Sequence, residues 1–318
     1  NGQGDSGKID IQTGSLTITE GSQLGTFISG KGKAGDVIIN ASNIVSFDGS
    51  SSNIFSIINT DAEGDAGNIS IKAESLSLAN GAKFISNAKG QGDSGKIDIK
   101  TGSLTVTGGS KIGTFIDGQG NSGNIDIQTG SLKVTEGSQL NTFISGKGNS
   151  GDVIINATGN VFLDGDSSGI FSIVNPGAEG NGGDIRIKAA SLFLSNRATL
   201  SSSADGEGNA GDLEIQADSL SVTEGSQLGT SIGGKGKAGD VTINANGDIF
   251  FDGKSSRLFS IVNTGAEGDG GNVSVKAESL SLANGAKFIS NAKGQGDSGE
   301  IDIQTGSLKV TEGSQLNT

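Results

Sequence analysis

The chain has 318 residues, of which 56 are glycine and one is proline, and it contains no Cys, His, Met, Trp or Tyr. Its formal charge of −13 argues against nucleic-acid binding, which requires clusters of Lys and Arg, and no apolar run approaches the roughly 18 residues of a membrane span. The glycine content without a three-residue period excludes collagen, and the regular placement of the apolar residues argues against disorder.

A glycine that opens a run of alternating polar and apolar residues recurs eleven times along the chain. Successive copies are separated by either 28 or 32 residues, without an interrupting linker. These marker glycines are Gly7, Gly35, Gly67, Gly95, Gly123, Gly151, Gly183, Gly211, Gly239, Gly271 and Gly299. The regular spacing predicts a repeat architecture, in which each copy buries its apolar face against its neighbours.

The first predicted strand of each repeat follows directly after the marker glycine. Branched aliphatic residues stand two and four positions after every marker, as Ile125 and Ile127 do after Gly123, and the residue between them is mostly polar. This period of two is typical of a strand with one buried face. Six positions after the marker every copy has Thr or Ala, which suits an inward residue at a bend.

Two further strands are predicted in each repeat. The second contains pairs such as Leu132 and Val134, and it precedes a position at which ten of the eleven copies have glycine and one has Arg197. A recurrent glycine there predicts a turn with positive φ. The third strand has an apolar residue followed two positions later by Ser or Thr, as at Leu140 and Thr142, which predicts a column of hydroxyls beside the aliphatic ones.

Three short strands cannot bury their apolar face alone, but stacked copies can pair each strand with the same strand of the next copy. The predicted fold is therefore an all-β, right-handed parallel β-helix (β-solenoid) of about eleven coils of 28 or 32 residues, with three strands per coil. At about 4.8 Å per coil it would be roughly 50 Å long. A β-propeller is the alternative, although its blades are longer, at about 40–50 residues.

The repeated phrase "GNSGNIDIQTGSLKVTEGSQL" and its variant "GKAGDVIINA" resemble the repeats of filamentous-haemagglutinin-like exoproteins, in particular large repetitive surface proteins of this kind in cyanobacteria. The resemblance covers the whole chain. It implies a right-handed β-helical shaft, secretion through an outer-membrane partner of the two-partner type, and a role in adhesion or aggregation at the bacterial cell surface.

Residues 1–318 are expected to form a single solenoid without caps. The chain begins within a repeat, at "NGQGDSG", and stops within one, at "EGSQLNT". Because bare strand edges pair with other strands, we expect a window from a longer array or filament. Its partners would be its own chain or identical copies stacked end to end, and in addition surface glycans or other cells.

One candidate metal site is a ladder of carboxylates. Directly after the marker glycine, four consecutive repeats have an aspartate: Asp152, Asp184, Asp212 and Asp240. Stacked carboxylates about 5 Å apart repel each other by about 1 kcal/mol even in water, and a calcium ion with oxygen ligands would relieve this repulsion. The alternative is that each aspartate hydrogen-bonds its own turn. No other cofactor is expected.

The three 32-residue repeats suggest a contact surface. Each has four extra residues around a phenylalanine, namely Phe55, Phe171 and Phe259, and the second strand shifts by one residue, so that Phe162 and Phe250 should point outward. These five residues are either fillers of a wider coil or a row of apolar arcs used for contact.

Catalysis is not expected. The chain has no His or Tyr and only three arginines, so no residues stand out as a paired general acid and base. Glycine-rich phrases such as "GQGDSG" superficially match a phosphate-binding loop, but no helix follows them. The predicted function is a structural shaft of an extracellular fibre or adhesin. The alternative is a carbohydrate-binding β-helix that recognises a glycan along one face.

Overall fold

The structure, a computed structural model, describes residues 2–318 and is composed of strands and turns without a helix in that range. No helix among these residues could therefore cross a membrane. The strands are β1 (Ile9–Thr13), β2 (Leu16–Ile18), β3 (Gln23–Ile28), β4 (Val37–Ala41), β5 (Ile44–Asp48), β6 (Asn53–Ile58), β7 (Ile69–Ala79), β8 (Lys83–Ala88), β9 (Ile97–Val106), β10 (Lys111–Ile116), β11 (Ile125–Thr135), β12 (Gln139–Ile144), β13 (Val153–Ala157), β14 (Val161–Asp164), β15 (Gly169–Val174), β16 (Ile185–Ser195), β17 (Thr199–Ala204), β18 (Leu213–Val222), β19 (Gln227–Ile232), β20 (Val241–Ala245), β21 (Asp248–Asp252), β22 (Arg257–Val262), β23 (Val273–Ala283), β24 (Lys287–Ala292), β25 (Ile301–Val310) and β26 (Gln315–Asn317).

The strands stack in parallel, and each pairs with the corresponding strand of the preceding and following coil. Ile127 in β11, for example, pairs with Ile99 in the coil before and with Ile155 in the coil after. A sheet of 15 strands contains the first and second segments of the coils, and a sheet of 11 strands contains the third segments. The predicted β-solenoid of about eleven turns is confirmed, since a propeller blade pairs strands within a repeat and not between repeats.

The first two predicted strands are continuous in seven coils, where they form one strand of 10 or 11 residues such as β11. They are separate in the first coil and in the three 32-residue coils. Thr129 and Leu132 of the fifth coil are separated by two residues, whereas their partners in the sixth coil, Ala157 and Val161, are separated by three. The extra residue interrupts the pairing at the bend, and it produces the shift that the sequence predicted.

The inward columns form the core. Ile125, Leu132, Val134 and Leu140 are each 0% exposed, and the same positions in neighbouring coils pack above and below them. The side chain of Ile127 lies between those of Ile99 and Ile155, since alternate residues of a strand point to the same face.

The predicted hydroxyl column also faces inward, where it separates the main core from a smaller apolar cluster. Thr142 donates a hydrogen bond to the carbonyl oxygen of Gly151 at 2.7 Å, and the N–H of Gly183 donates to Ser172 Oγ at 2.8 Å. These hydroxyls satisfy buried backbone groups of the marker glycines, which would otherwise be costly to bury.

Glycine is favoured at the predicted turn and required at the marker position, for different reasons. Gly137, in the turn after the second strand, has a φ of 74°, and Arg197 at the same position has a φ of 67°. At the marker position, a Cβ on Gly123 would lie 2.4 Å from the carbonyl oxygen of Gly95 in the preceding coil. The turn glycines therefore provide a left-handed conformation, and the marker glycines allow close approach between coils.

Candidate functional site

The four aspartates of the predicted ladder stand one above another, each directly before a first strand. The N–H of Asp184 donates to Asp152 Oδ1 at 2.9 Å, and the N–H of Asp212 donates to Asp184 Oδ1 at 2.8 Å. The N–H of Asp240 in turn donates to Asp212 Oδ1 at 2.8 Å. Each carboxylate therefore accepts a hydrogen bond from the backbone of the next coil. The alternative prediction, that each aspartate hydrogen-bonds its own turn, is wrong.

Asparagine has the same role in other coils of this column. The N–H of Asp152 donates to Asn124 Oδ1 at 2.9 Å, and the N–H of Lys96 donates to Asn68 Oδ1 at 2.9 Å. A neutral amide oxygen and a carboxylate oxygen thus make the same bond. The aspartates and asparagines of this column share a side-chain oxygen that accepts the next backbone N–H, and this role does not require negative charge.

Arg186 provides positive charge beside the ladder. Its Nη1 atom lies 3.2 Å from Asp152 Oδ2, its Nη2 atom contacts Asp184 Oδ2, and its Nε atom lies 3.9 Å from Glu214 Oε2. Although burial acts in the opposite direction, the charges of Asp184 and Asp152 raise the pKa of Arg186. One guanidinium group therefore offsets the repulsion between two of the four aspartates.

Asp212, the third aspartate, has a less favourable environment than Asp152 and Asp184, which contact Arg186. Burial raises the pKa of Asp212, and the charges of Asp184 and Asp240 raise it further, against the opposing effect of the hydrogen bond from the Asp240 backbone. Within residues 2–318, no three His, Cys, Asp or Glu side chains converge in an arrangement that could hold a metal ion. Calcium binding by the ladder of Asp152, Asp184, Asp212 and Asp240 stays a prediction.

Phe162 and Phe250 lie on the outer face of the 15-stranded sheet, as the one-residue shift predicted. Their side chains are 39% and 38% exposed. The ring of Phe162 stacks on that of Phe193 in the next coil, with centroids 4.8 Å apart and an interplanar angle of 9°. This pair is an apolar patch on an otherwise mainly polar face.

Phe55, Phe171 and Phe259 lie on the outer face of the other sheet, in β6, β15 and β22. Phe55 and Phe171 are partly exposed and Phe259 is buried, because their rings lie against the sheet. A Cβ on Gly25 would lie 2.2 Å from the ring of Phe55, and the guanidinium of Arg257 lies 4.9 Å from the ring centroid of Phe259. The five phenylalanines are thus divided between two faces and do not form one row.

Larger interior side chains fill two of the longer coils. Phe47 and Phe251 are fully buried, and their rings meet those of Phe84 and Phe288 edge to face, each with a centroid distance of 4.8 Å. Phe47 and Phe251, and not the five phenylalanines predicted from the sequence, therefore fill the interior of these two coils.

A further surface, which was not among the predicted sites, is the column five positions after each marker glycine. Every side chain in it is exposed. Although the chain has 35 acidic residues and 22 basic ones, this column contains only amides and lysines. Its members are Gln12, Asn40, Lys72, Lys100, Gln128, Asn156, Lys188, Gln216, Asn244, Lys276 and Gln304. Reading down this outward column would have found it from the sequence.

Part of this column borders a groove of about 690 Å³ on the outside of the bend. Lys72, Lys100, Gln128 and Asn156 stand on one side, in four successive coils that pair in register. The other side and the floor comprise Ala73, Thr101, Gly102, Thr129, Gly130 and Thr158. We name it the Lys–Gln groove.

No family model matches this chain, and no curated protein matches it. Among solved structures, the chain matches a TibC-catalysed hyper-glycosylated fragment of TibA, with 13% sequence identity and a TM-score of 0.22, over 96% of this chain and 100% of that chain. A likeness at that TM-score and identity carries no conclusion about function. The parallel β-solenoid is thus shown by the strand pairing of the chain itself.

Proposed function

We propose that this chain is a structural shaft of an extracellular fibre or adhesin at a bacterial surface, which supports adhesion or aggregation and catalyses no reaction. The observation that carries the proposal is the parallel pairing in register from β1 to β25, coil after coil, with the same inward columns throughout. Because each coil contacts mainly its neighbours, such a fold extends in one direction as coils are added.

The repeat phrases favour the filamentous-haemagglutinin-like type within this class. That likeness is the basis for proposing secretion through an outer-membrane partner, and for proposing other cells or surface glycans as binding partners. The charge of −13 suits a shaft that stays soluble while it projects from a surface.

Recognition of a glycan along one face is the second candidate function. The exposed column of amides and lysines favours it, because these side chains provide hydrogen-bond donors at every coil.

Deletion of one coil in register tests the shaft proposal. Removal of residues 211–238, one repeat of 28 residues, should leave the parallel stack intact and should retain surface display and cell aggregation. Removal of half that segment, residues 211–224, places inward columns against turns and should abolish both. Electron microscopy of the protein on its own cells and an aggregation assay provide the readouts. Loss of aggregation with the register-preserving deletion, despite normal display, would contradict a purely structural role.

A further inference from the structure

We propose that the Lys–Gln groove binds a linear acidic polysaccharide, a chain of uronic acid units that lies along the solenoid axis. The proposal deepens the second candidate function, glycan recognition, and names its site and ligand class. It is independent of the shaft proposal, which rests on the pairing between coils.

The shape of the groove depends on two outward glycines. Gly102 and Gly130 stand seven positions after their marker glycines, where the preceding coil has Glu74. Without side chains at these two positions, the outer face is open beside Lys100 and Gln128. A Cβ on Gly130 would also lie 2.3 Å from the carbonyl oxygen of Gly102, so a side chain there would force the coils apart.

The floor offers little competition for a ligand. The hydroxyl of Thr101 donates to the Ser103 carbonyl at 3.0 Å, and that of Thr129 donates to the Ser131 carbonyl at 2.8 Å. Because these two hydroxyl protons are already used, the floor around Ala73, Gly102 and Gly130 has few side-chain donors, and the exposed Thr158 completes its lining. Such a floor suits the apolar face of a sugar ring, while the donors at the side bind its oxygens.

The charge of the groove selects an acidic ligand. Lys72 and Lys100 are the charged residues among those that line it, and they are adjacent in register, so their ammonium groups repel each other. An anion between them would relieve that repulsion with charge-assisted hydrogen bonds. On the same outward face, Asp98 and Asp126 stand two residues before Lys100 and Gln128, and their charges would repel an acidic chain from the side away from the groove floor.

The spacing of the donors selects an extended ligand. Lys72, Lys100, Gln128 and Asn156 repeat once per coil, at about 4.8 Å. This spacing is similar to the length of one sugar unit in an extended polysaccharide. No aromatic side chain lines the groove, so recognition rests on hydrogen bonds and charge, and binding should weaken as salt is added.

Isothermal titration calorimetry of the whole chain with an oligogalacturonate of about six units, enough to span the groove, tests the proposal. The matched control ligand is the same oligomer with its carboxylates methyl-esterified. We expect binding of the acid form that decreases with salt, and much weaker binding of the ester. Equal affinity for the two forms, or binding of neither, would overturn the proposal.

Two double variants separate the groove from the general charge of the molecule. Lys72→Gln with Lys100→Gln should lower the affinity at least about tenfold. Lys83→Gln with Lys111→Gln removes the same charge from an adjacent, in-register pair on the 11-stranded sheet, and should leave the affinity unchanged. Glutamine already occupies both of these columns in other coils, at Gln128 and at Gln139, so both variants should fold, which a thermal melt would verify. Equal effects of the two double variants would refute the assignment to this groove, whereas the deletion experiment for the shaft would be unaffected.

Discussion

The Nη1 atom of Arg186 lies 3.2 Å from Oδ2 of Asp152, a residue of the preceding coil. Nη2 of the same guanidinium contacts Asp184 in its own coil. A single cation thus bridges two successive carboxylates of the ladder, at the place where the sequence suggested a calcium ion. The two oxygens of each carboxylate have separate roles, since Oδ1 accepts the backbone N–H of the next coil and Oδ2 contacts Arg186.

Arg186→Gln should lower the melting temperature, because Asp152 and Asp184 then repel each other without a counter-charge. The side chain of Arg186 is 43% exposed, so the loss should be no more than about 1 kcal/mol and should diminish at high salt. Thermal melts at low and high ionic strength measure it. Arg197→Gln is the control, since its pair with Asp166 spans 3.7 Å between two largely exposed side chains. An equal effect of the two substitutions would contradict a specific role for Arg186.

A calcium titration addresses the ladder directly. If the ladder can bind a hard cation, calcium should raise the melting temperature of the Arg186→Gln variant more than that of the parent chain, because the substitution releases the outer oxygens of Asp152 and Asp184. Magnesium at the same ionic strength is the control. If calcium affects neither protein, the calcium hypothesis is wrong and the ladder serves hydrogen bonding alone.

Asp212→Asn should stabilise the protein at neutral pH and not in acid. Because the pKa of Asp212 is raised above its ordinary value of 3.8, the folded state binds this proton more tightly, and stability is lost as the pH rises through the folded pKa. Asparagine keeps an acceptor for the Asp240 N–H, as Asn124 does for Asp152.

Melting temperatures at pH 7 and pH 3 measure the effect, which should be present at the first and absent at the second. Asp36→Asn is the matched control in the same column. Asp36 also accepts the next backbone N–H, from Asn68 at 2.7 Å, but its neighbours in the column are Lys8 and Asn68 and not aspartates. A gain of the same size in both variants would show that repulsion within the ladder is not the cause.

Ile127→Asp should destabilise the solenoid by more than about 3 kcal/mol, because it places an unpaired carboxylate between Ile99 and Ile155. Gln128→Lys, one residue along the same strand, should be nearly silent since that side chain is exposed. Thermal melts and hydrogen exchange of the fifth coil compare the two. A normal melt for Ile127→Asp would refute the inward assignment.

Arg197→Gly should raise stability by about 1 kcal/mol or less, since Arg197 has a φ of 67° at a position where ten of eleven coils have glycine. The converse change, Gly137→Ala, should lower stability by a similar amount, because the φ of Gly137 is 74°. Chemical denaturation of both variants provides the measurement. A destabilised Arg197→Gly variant would show that contacts of the arginine outweigh its backbone strain.

The repeat by itself determined the architecture. Alternation around Ile125 and Ile127, a glycine at Gly137 and a hydroxyl at Thr142 are local signals, and their recurrence in every copy predicts which residues stack upon one another. Because each coil is surrounded by near copies of itself, a pattern read within one repeat also describes its neighbours. The inward columns, the turn conformation and the outward position of Phe162 could therefore be predicted without coordinates.

The tertiary structure alone decided which polar groups bond between coils and where the outer face opens. The acceptor of each aspartate's N–H, the bridge from Arg186 to Asp152, and the opening beside Gly102 and Gly130 depend on contacts between residues 28 to 34 positions apart. The bend and the strand pairing determine how close such side chains come to each other. The sequence of a single repeat does not specify these distances. Periodicity set the columns, whereas the groove and the hydrogen bonds of the ladder were set by how successive coils stack along the solenoid axis.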